Sequence, residues 1–522
     1  MTDFWGDLDR ELHRGVRGRQ GSVPETFWMD PTELATETDR HGRLRWHYDR
    51  KRVLLGYGRN TDGRPFGVGF EDDRGILTVA GSRVGKGRSL LVPNLLLAEN
   101  SAIVLDPKGE LAAITARRRA EMGQRVFIID PFGVSKAHES PHLQRFLASY
   151  NPLLAIDVRK ESCTEDAAMI ADAIIQVPSK GETHWAESAK AFLAALILLV
   201  CGTADVKQRH FGTVRSLMSG TDRGTIEWGN KNDIPRDSAL YAMMRSMPTL
   251  AFEQVARAGG QMLDIDSRER GSILSTMRTQ CAFMDNLILQ RVMTTSSFAL
   301  SDLKTGIVDA AGKRQGVTVY LCLPASAMAT YGRWLRLMIN LALVAFERTP
   351  MPDPRPLPTL FILEELCTTI GYSRQLEAAA GLMGGYGVRL WSVIQDLSQL
   401  KHHYEGSWET FVGNAGTMTA FGNSDMMTLE YISKKLGNTG LLVETPSGAT
   451  STAKLAGQRE QSEQLRESAL LPPVEIEQKF NRESNRILIM PAGKQPFILR
   501  RANYTDEDSV FVRERMFDGH TI

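Results

Sequence analysis

Short, uninterrupted apolar runs bounded by Gly, Pro and Asp recur early and again late in the chain, and a helix-patterned block separates the two sets. Ile76 to Val79, Ala102 to Leu105 and Val126 to Asp130 read as buried strands, because they are too short for helices and apolar except at Thr78 and the terminal Asp130. Helical composition lies between them, most clearly from Leu111 to Met122. Strand, helix, strand, helix, strand in succession implies parallel strands joined by right-handed crossovers, hence a doubly wound α/β sheet. Weaker strands are read at Val53 to Leu55 and Gly67 to Phe70. From about 160 to 300 the strand rhythm disappears. Glu165 to Ile175, Trp185 to Cys201, Thr213 to Met218, Ala239 to Met247, Leu250 to Ala258 and Arg268 to Met284 have helical period or composition, which predicts an all-helical insertion. Strands return at Val317 to Leu323, Thr359 to Leu363, Val388 to Ile394, Ala415 to Phe421 and Arg486 to Met490, with Pro496 to Arg500 packing back on the sheet. Helices are expected at Trp334 to Phe346 and Leu376 to Met383, and the polar stretch Thr445 to Glu467 reads as mobile.

Composition narrows the class. A chain of 522 residues with 42% apolar and 24% charged content is globular and long enough for roughly two to four modules. A formal net charge of +1 makes no global case for nucleic acid, so any DNA contact is local. Cys163, Cys201, Cys281, Cys322 and Cys367 are scattered without metal-type spacing, as expected of buried thiols in a reducing compartment. The amino-terminal residues are charged and do not read as a signal peptide. Ala191 to Cys201, the most apolar stretch, falls short of the roughly 20 residues that span a bilayer, so it predicts a buried helix and a chain that does not itself cross a membrane. Basic clusters (Arg14, Arg17, Arg19; then Arg40, Arg43, Arg45, Arg50, Lys51, Arg52 with Trp46 and Tyr48) fit either a solvated entry to the domain or contact with nucleic acid, acidic lipid or a partner. Arg268, Arg270 and Arg278 leave the same choice open.

The chemistry sits at strand ends. Ala80-Gly81-Ser82-Arg83-Val84-Gly85-Lys86-Gly87 follows an apolar strand and opens a helix near Lys86. It is a P-loop except at its first and last positions, where Gly and Ser or Thr are usual. Backbone N–H groups curling round a phosphate, a helix N-terminus and the Lys86 ammonium make a phosphate cradle. The hydroxyl missing at Gly87 is one that ordinarily ligates Mg²⁺, and Ser89 stands two residues further on. Asp106 and Asp130 close two other strands, where such folds bind ligands. Thr359 to Leu363 ends in Glu364 and Glu365, the pattern of a Walker B element: the first acid holds Mg²⁺ through its water shell, the second polarises the attacking water. Val388 to Ile394 closes on Gln395, a position suited to sensing a γ-phosphate.

Together these segments resemble the type IV coupling proteins, hexameric ATPases that deliver substrates to conjugation and type IV secretion machines. The resemblance rests on the P-loop followed by Leu91-Val92-Pro93-Asn94-Leu95, on Val104 to Glu110, on Asn151-Pro152-Leu153, on Glu364-Glu365 and on Gln395 to Leu400. Asn414, the run Asp425 to Gly437 and Leu470-Leu471-Pro472 extend it over about residues 75–500. It implies a RecA-like P-loop NTPase fold, α/β with a mainly parallel doubly wound sheet, interrupted by an all-α domain that receives substrate or relaxase signals. The divisions are then a basic leader (1–52), a first part of the nucleotide domain (53–160), the all-α insertion (161–300), the second part (301–505) and a tail (506–522). ATP and Mg²⁺ are the implied cofactors. Gly81, Ser82, Arg83, Val84, Gly85, Lys86, Gly87 and Arg88 bind the nucleotide, Lys86, Glu364, Glu365 and Gln395 act in hydrolysis, and Glu364 holds Mg²⁺ mostly through water.

The implied function is an ATP-dependent coupling protein that recruits and translocates DNA–protein or protein substrates to a type IV secretion channel. Its partners are DNA without sequence preference, a relaxase or effector protein, the secretion machinery and five further copies in a homo-hexamer. Members usually begin with transmembrane helices and none is read in this sequence, so the expected location is the cytoplasm or the cytoplasmic face of the inner membrane, with attachment only through partners. Two departures bear on activity. Glu364 stands where Asp is usual and moves the carboxylate by about 1.5 Å, from standard bond lengths. The arginine expected to reach a neighbour's phosphate is replaced near Gly384-Gly385-Tyr386, with Arg389 the nearest alternative. A soluble ATP-binding adaptor or assembly factor with little hydrolysis, or a cytoplasmic DNA-translocating motor, are the competing readings.

Overall fold

Each apolar run read as a strand is a strand, with small shifts at the ends, in the computed structural model, which describes residues 27–177, 183–247, 252–446 and 461–518. In chain order the strands are β1 (Val53–Arg59), β2 (Pro65–Phe70), β3 (Gly75–Ala80), β4 (Ala102–Asp106), β5 (Arg125–Ile129), β6 (Ile307–Val308), β7 (Arg314–Gln315) and β8 (Val317–Cys322). They continue as β9 (Thr359–Leu363), β10 (Val388–Ile394), β11 (Ala415–Phe421), β12 (Asn438–Pro446), β13 (Gln461–Ala469), β14 (Arg486–Pro491) and β15 (Phe497–Arg500). The chain folds as two compact units. One holds the residues up to Ala98 together with Trp391–Arg515, the other Glu99–Leu390 and a short piece after Arg515.

In the first unit the strand order is β2-β1-β15-β14-β11-β3-β10, the last strand contributing Trp391 to Ile394. β3 lies between β11 and β10 and is parallel to both. From β11 outward through β14, β15, β1 and β2 the pairing turns antiparallel. A buried polar thread fixes the three parallel strands: Trp391 Nε1 donates to Thr78 Oγ1 at 2.9 Å, and Thr78 Oγ1 meets Thr419 Oγ1 at 2.9 Å. The helix after β3 begins with a π turn, Gly87–Leu91, before its α-helical part Val92–Leu97. Pro93 has no N–H and its ring crowds the carbonyl one turn earlier, so a widened turn suits the sequence there. Asn94 in this helix is fully buried. Its Oδ1 accepts from Leu54 N at 2.7 Å and its Nδ2 donates to Leu54 O and Leu90 O at 2.9 and 2.8 Å. Asn94 therefore pairs with β1 as a neighbouring strand would, which gives the Leu91-to-Leu95 motif a structural role.

In the second unit β9-β4-β8-β5 are all parallel. Asp106 ends β4 buried, and its Oδ2 accepts from Ala112 N at 2.8 Å in the first turn of the helix Glu110–Glu121. Gly109 between them has φ 70°, and a Cβ there would stand 2.3 Å from Ser135 N. Asp130 accepts from Val134 N, Ser135 N and Ser135 Oγ and so folds that same loop. Both carboxylates are thus engaged with their own loops. From Cys163 to Val292 the described residues contain helices and no strand. Asn151 closes the root of this block: Nδ2 donates to Arg209 O at 2.7 Å and to Thr294 O at 3.0 Å, while its own N–H donates to Ser296 Oγ.

The buried apolar helix runs further than read, Thr183–Thr203, and by length and composition it is long enough to cross a membrane. Its apolar window is 67% buried among neighbouring helices of the same unit, as a core helix would be. All five cysteines are free and buried. The helix expected from Leu250 is described as Glu253–Asp264, and Leu250 itself lies outside the described residues, as do Arg14, Arg17 and Arg19. Both ends of the polar stretch Thr445 to Glu467 belong to the antiparallel pair β12 and β13 rather than to an irregular segment; residues 447–460 lie outside the described set.

Replacing Asn94 with Leu leaves the Leu54 N–H and C=O buried without partners. It should lower stability by about 2 kcal/mol and speed hydrogen exchange at Leu54, measured by urea unfolding and amide exchange. Burial pushes the Asp106 carboxyl up to about 7, against the pull of the Ala112 N–H. The folded chain then binds more protons than the unfolded one between roughly pH 4 and 7, so this group's contribution is present in acid and lost as pH rises through that window. Asp106→Asn should accordingly gain more in Tm over the wild type at pH 8 than at pH 5, read by thermal unfolding.

Candidate nucleotide site

The P-loop turn is built by what surrounds it. Ala80 still belongs to the ladder, opposite Phe421, so the position where the motif usually has Gly is extended backbone here and needs none. At Gly81 a Cβ would stand 2.1 Å from Gly422 O, which leaves no room for a side chain. Arg83 (φ 57°) and Gly85 (φ 89°) are both left-handed, a backbone that turns successive N–H groups toward one concave face. Lys86 follows at the start of the helix, 8% exposed. A helix N-terminus and a lysine meeting a nest of N–H groups suit an anion of phosphate shape. Ser82 and Arg83 are exposed, Val84 is buried against Gly422, and Arg88 is half-exposed with its guanidinium 3.7 Å from Asp506. Gly87 brings no hydroxyl to the position where the motif usually has one, and Ser89, two residues on, directs its Oγ–H back to Gly85 O at 2.8 Å.

Gln395 belongs to the same unit, half-buried just past β10, and its carbonyl accepts from Asn423 Nδ2 at 3.3 Å. The loop after it is held by Asp396, which caps the helix Leu397–Tyr404 through Gln399 N, and by Leu397 N donating to Thr428 Oγ1. Sequence reading missed three residues here. Gly422 and Asn423 follow β11 directly, and a glycine closing an apolar strand beside the P-loop strand was the available signal. Arg501 gave none: it is 5% exposed, with Nη1 donating to Val84 O at 2.6 Å.

Glu364 and Glu365 belong to the second unit. Glu364 is 6% exposed at the end of β9, and Glu365 is left-handed (φ 54°) at the head of the short helix Leu366–Thr369. A left-handed non-glycine backbone costs about 1–3 kcal/mol and persists only where the surroundings impose it. Thr369 Oγ1 donates back to Glu365 O at 2.9 Å, which helps to do so. The described residues contain no cluster of three or more His, Cys, Asp or Glu side chains that could cage a metal ion. That donor set fits Mg²⁺ taken up by one carboxylate with water and phosphate oxygens, rather than by an all-protein cage.

Arg389, the alternative for reaching a neighbour's phosphate, is 4% exposed within β10 and does not present its side chain to the surface. Arg52 is likewise buried, its Nη1 donating to the carbonyls of Leu44, Arg45 and His47. Arg278 donates to Met218 O, and Arg270 lies over the Tyr241 ring and donates to Ile265 O. Arg52, Arg270 and Arg278 thus hold backbone carbonyls in place.

Comparison with known proteins identifies the family and the fold. Residues 30–517 match the model of the family described as Type IV secretory system Conjugative DNA transfer. The chain is 25% identical over 434 residues to the conjugal transfer protein TraG of Escherichia coli, covering 80% of this chain and 64% of that one. It is 24% identical over 453 residues to the protein VirD4 of Rhizobium radiobacter, covering 85% and 58%. The chain thus spans somewhat under two thirds of the length of these relatives. Among solved structures it resembles the bacterial conjugative coupling protein TrwBdeltaN70, with a TM-score of 0.60 and 14% identity over 94% of this chain and 98% of that one. TrwB in complex with ADP and Mg²⁺ gives a TM-score of 0.54 and 13% identity over 83% and 85%. The fold is that of the coupling proteins, an α/β P-loop NTPase, and the chain belongs to the type IV secretory system conjugative DNA transfer family.

Proposed function

We propose that this chain is the ATP-driven motor of a coupling protein, which recruits a DNA–protein or protein substrate and translocates it toward a type IV secretion channel. The observation that carries the reading is the left-handed turn at Arg83 and Gly85 leading into Lys86 and a helix, in a chain whose family is that of conjugative DNA transfer. ATP with Mg²⁺ supplies a phosphoryl group whose transfer to water drives movement. The N–H groups of Gly81 to Arg88 cradle phosphate oxygens, and the Lys86 ammonium neutralises the charge of the β- and γ-phosphates. Glu364 holds Mg²⁺ through water, and Glu365 takes a proton from the attacking water at a carboxylate oxygen. Gln395, tied through its carbonyl to Asn423, carries the loss of phosphate to the loops at the ends of β10 and β11.

Six copies around a channel, cargo reception by residues 161–300, contact with a relaxase or effector, and membrane attachment through partners complete the proposal. Binding to DNA is then governed by phosphate contacts, independent of sequence and weakened by salt. A second reading, an ATP-binding adaptor with negligible turnover, is favoured by one observation: Gly87 brings no hydroxyl to the position that ordinarily ligates Mg²⁺.

ATP hydrolysis by the purified chain, with and without single- and double-stranded DNA, separates the two. A motor gives DNA-stimulated turnover that Lys86→Ala abolishes together with ATP binding. Glu365→Gln should keep binding and lose about 10²- to 10⁴-fold in turnover. Tight ATP binding with no turnover under any DNA condition would leave the adaptor.

A further inference from the structure

Arg501 follows the last strand of the sheet and carries no part of any motif read above, yet its side chain is among the most deeply placed charges of the first unit. It is 5% exposed, Nη1 donates to Val84 O at 2.6 Å, and Nη2 donates to Arg482 O at 2.7 Å. Nε has no hydrogen-bond partner. The Phe421 ring lies 5.2 Å from the guanidinium carbon. No described carboxylate forms an ion pair with it; Asp506, an acid whose charge it feels, reaches Arg88 and Arg500 instead. Burial, then the neighbouring Arg88, lower its pKa to about 10, so it stays charged near neutral pH. A buried cation without a carboxylate is unfavourable unless another anion offsets it.

Its position says which anion. Val84, whose carbonyl it holds, stands between the two left-handed residues Arg83 and Gly85, and Nη1 comes within 3.9 Å of where a Gly85 Cβ would lie. The chain just beyond tightens the same contact, since Tyr504 N donates to Arg88 O at 3.2 Å. We propose that Arg501 is a positioning residue of the nucleotide site, which locks the turn through the Val84 carbonyl and leaves its own charge to be balanced by the nucleotide's phosphates. The strap after β15 therefore serves as a back wall of the phosphate cradle. This rests on the reading of Gly81 to Arg88 as that cradle.

The test is equilibrium binding of ATP, ADP and adenosine to the full chain, compared with Lys86→Ala, Arg501→Gln and Arg501→Lys, with Tm recorded without nucleotide. Gln keeps a donor for Val84 O and removes the charge; Lys keeps the charge. Arg501→Gln should weaken ATP and ADP by about tenfold or more while leaving adenosine unchanged, and Arg501→Lys should restore ATP to within about threefold of wild type. Wild-type ATP affinity in Arg501→Gln overturns the proposal. If Arg501→Gln does not fold, Arg501→Lys decides: near-wild-type affinity is the expected result, and a loss of about tenfold or more overturns the role of the charge. A purely structural role would lower Tm in both variants and leave the affinity of the folded protein untouched. Failure of the wild type itself to bind ATP would instead remove the cradle reading, whatever Arg501 does.

Discussion

The first unit depends on a close approach between two backbones. Gly81 and Gly422 face each other at the ends of β3 and β11 with no space for a Cβ on the first, and Val84 fills the space that a side chain on the second would need. This contact brings the turn after β3 against the loop after β11, and the left-handed residues Arg83 and Gly85 shape that turn. The parallel pairing of β3 with β11 and β10 sets the register that makes the approach possible, and the Trp391–Thr78–Thr419 thread holds that register. Such buried polar threads are worth little on average but costly to half-break, so they specify an arrangement more than they stabilise it.

The same economy recurs through the fold. Asn94 replaces a strand partner for Leu54, Asp106 and Asp130 fold their own loops, and Asn151 joins the chain entering the helical block to the chain leaving it. Residues that look chemical in sequence can thus be structural joints. Their positions at strand ends and block borders explain why they occur in recognisable strings: each must satisfy backbone groups where regular structure stops. By contrast, Glu365 is held in a left-handed conformation that nothing in its sequence demands.

Much of the fold was legible. Apolar runs such as Val388 to Ile394 and Ala415 to Phe421 are buried along their whole length, so they have no alternation to confuse and their ends are marked by Gln395 and Gly422. β12 and β13 were not legible, because β13 is almost wholly polar and the apolar run of β12, Leu441 to Val443, is only three residues long. The long helix Thr183–Thr203 was read as Trp185 to Cys201, two residues short at each end, because its terminal residues Thr183, His184, Gly202 and Thr203 carry no apolar signal. In the site, the P-loop was readable down to the departures at Ala80 and Gly87, since turn geometry and charge are local.

What the sequence determined by itself is local: which segments are strands, where the helical block interrupts them, and that Gly81 to Arg88 and Glu364-Glu365 have the residue types for phosphate and Mg²⁺. What only the tertiary structure decided is which distant groups stand behind them. Gly422 and Arg501 reach the turn from hundreds of residues away through the order of strands in the sheet, Asn423 reaches the Gln395 carbonyl, and Ser89 turns its hydroxyl to a carbonyl one turn back. Burial decided the arginines in the same way. Arg52, Arg389 and Arg501 are each one more basic residue in the sequence, and each is removed from solvent by elements that composition cannot locate. A charge gains its meaning from what it faces, and pairing across a sheet is a long-range property that no local window contains.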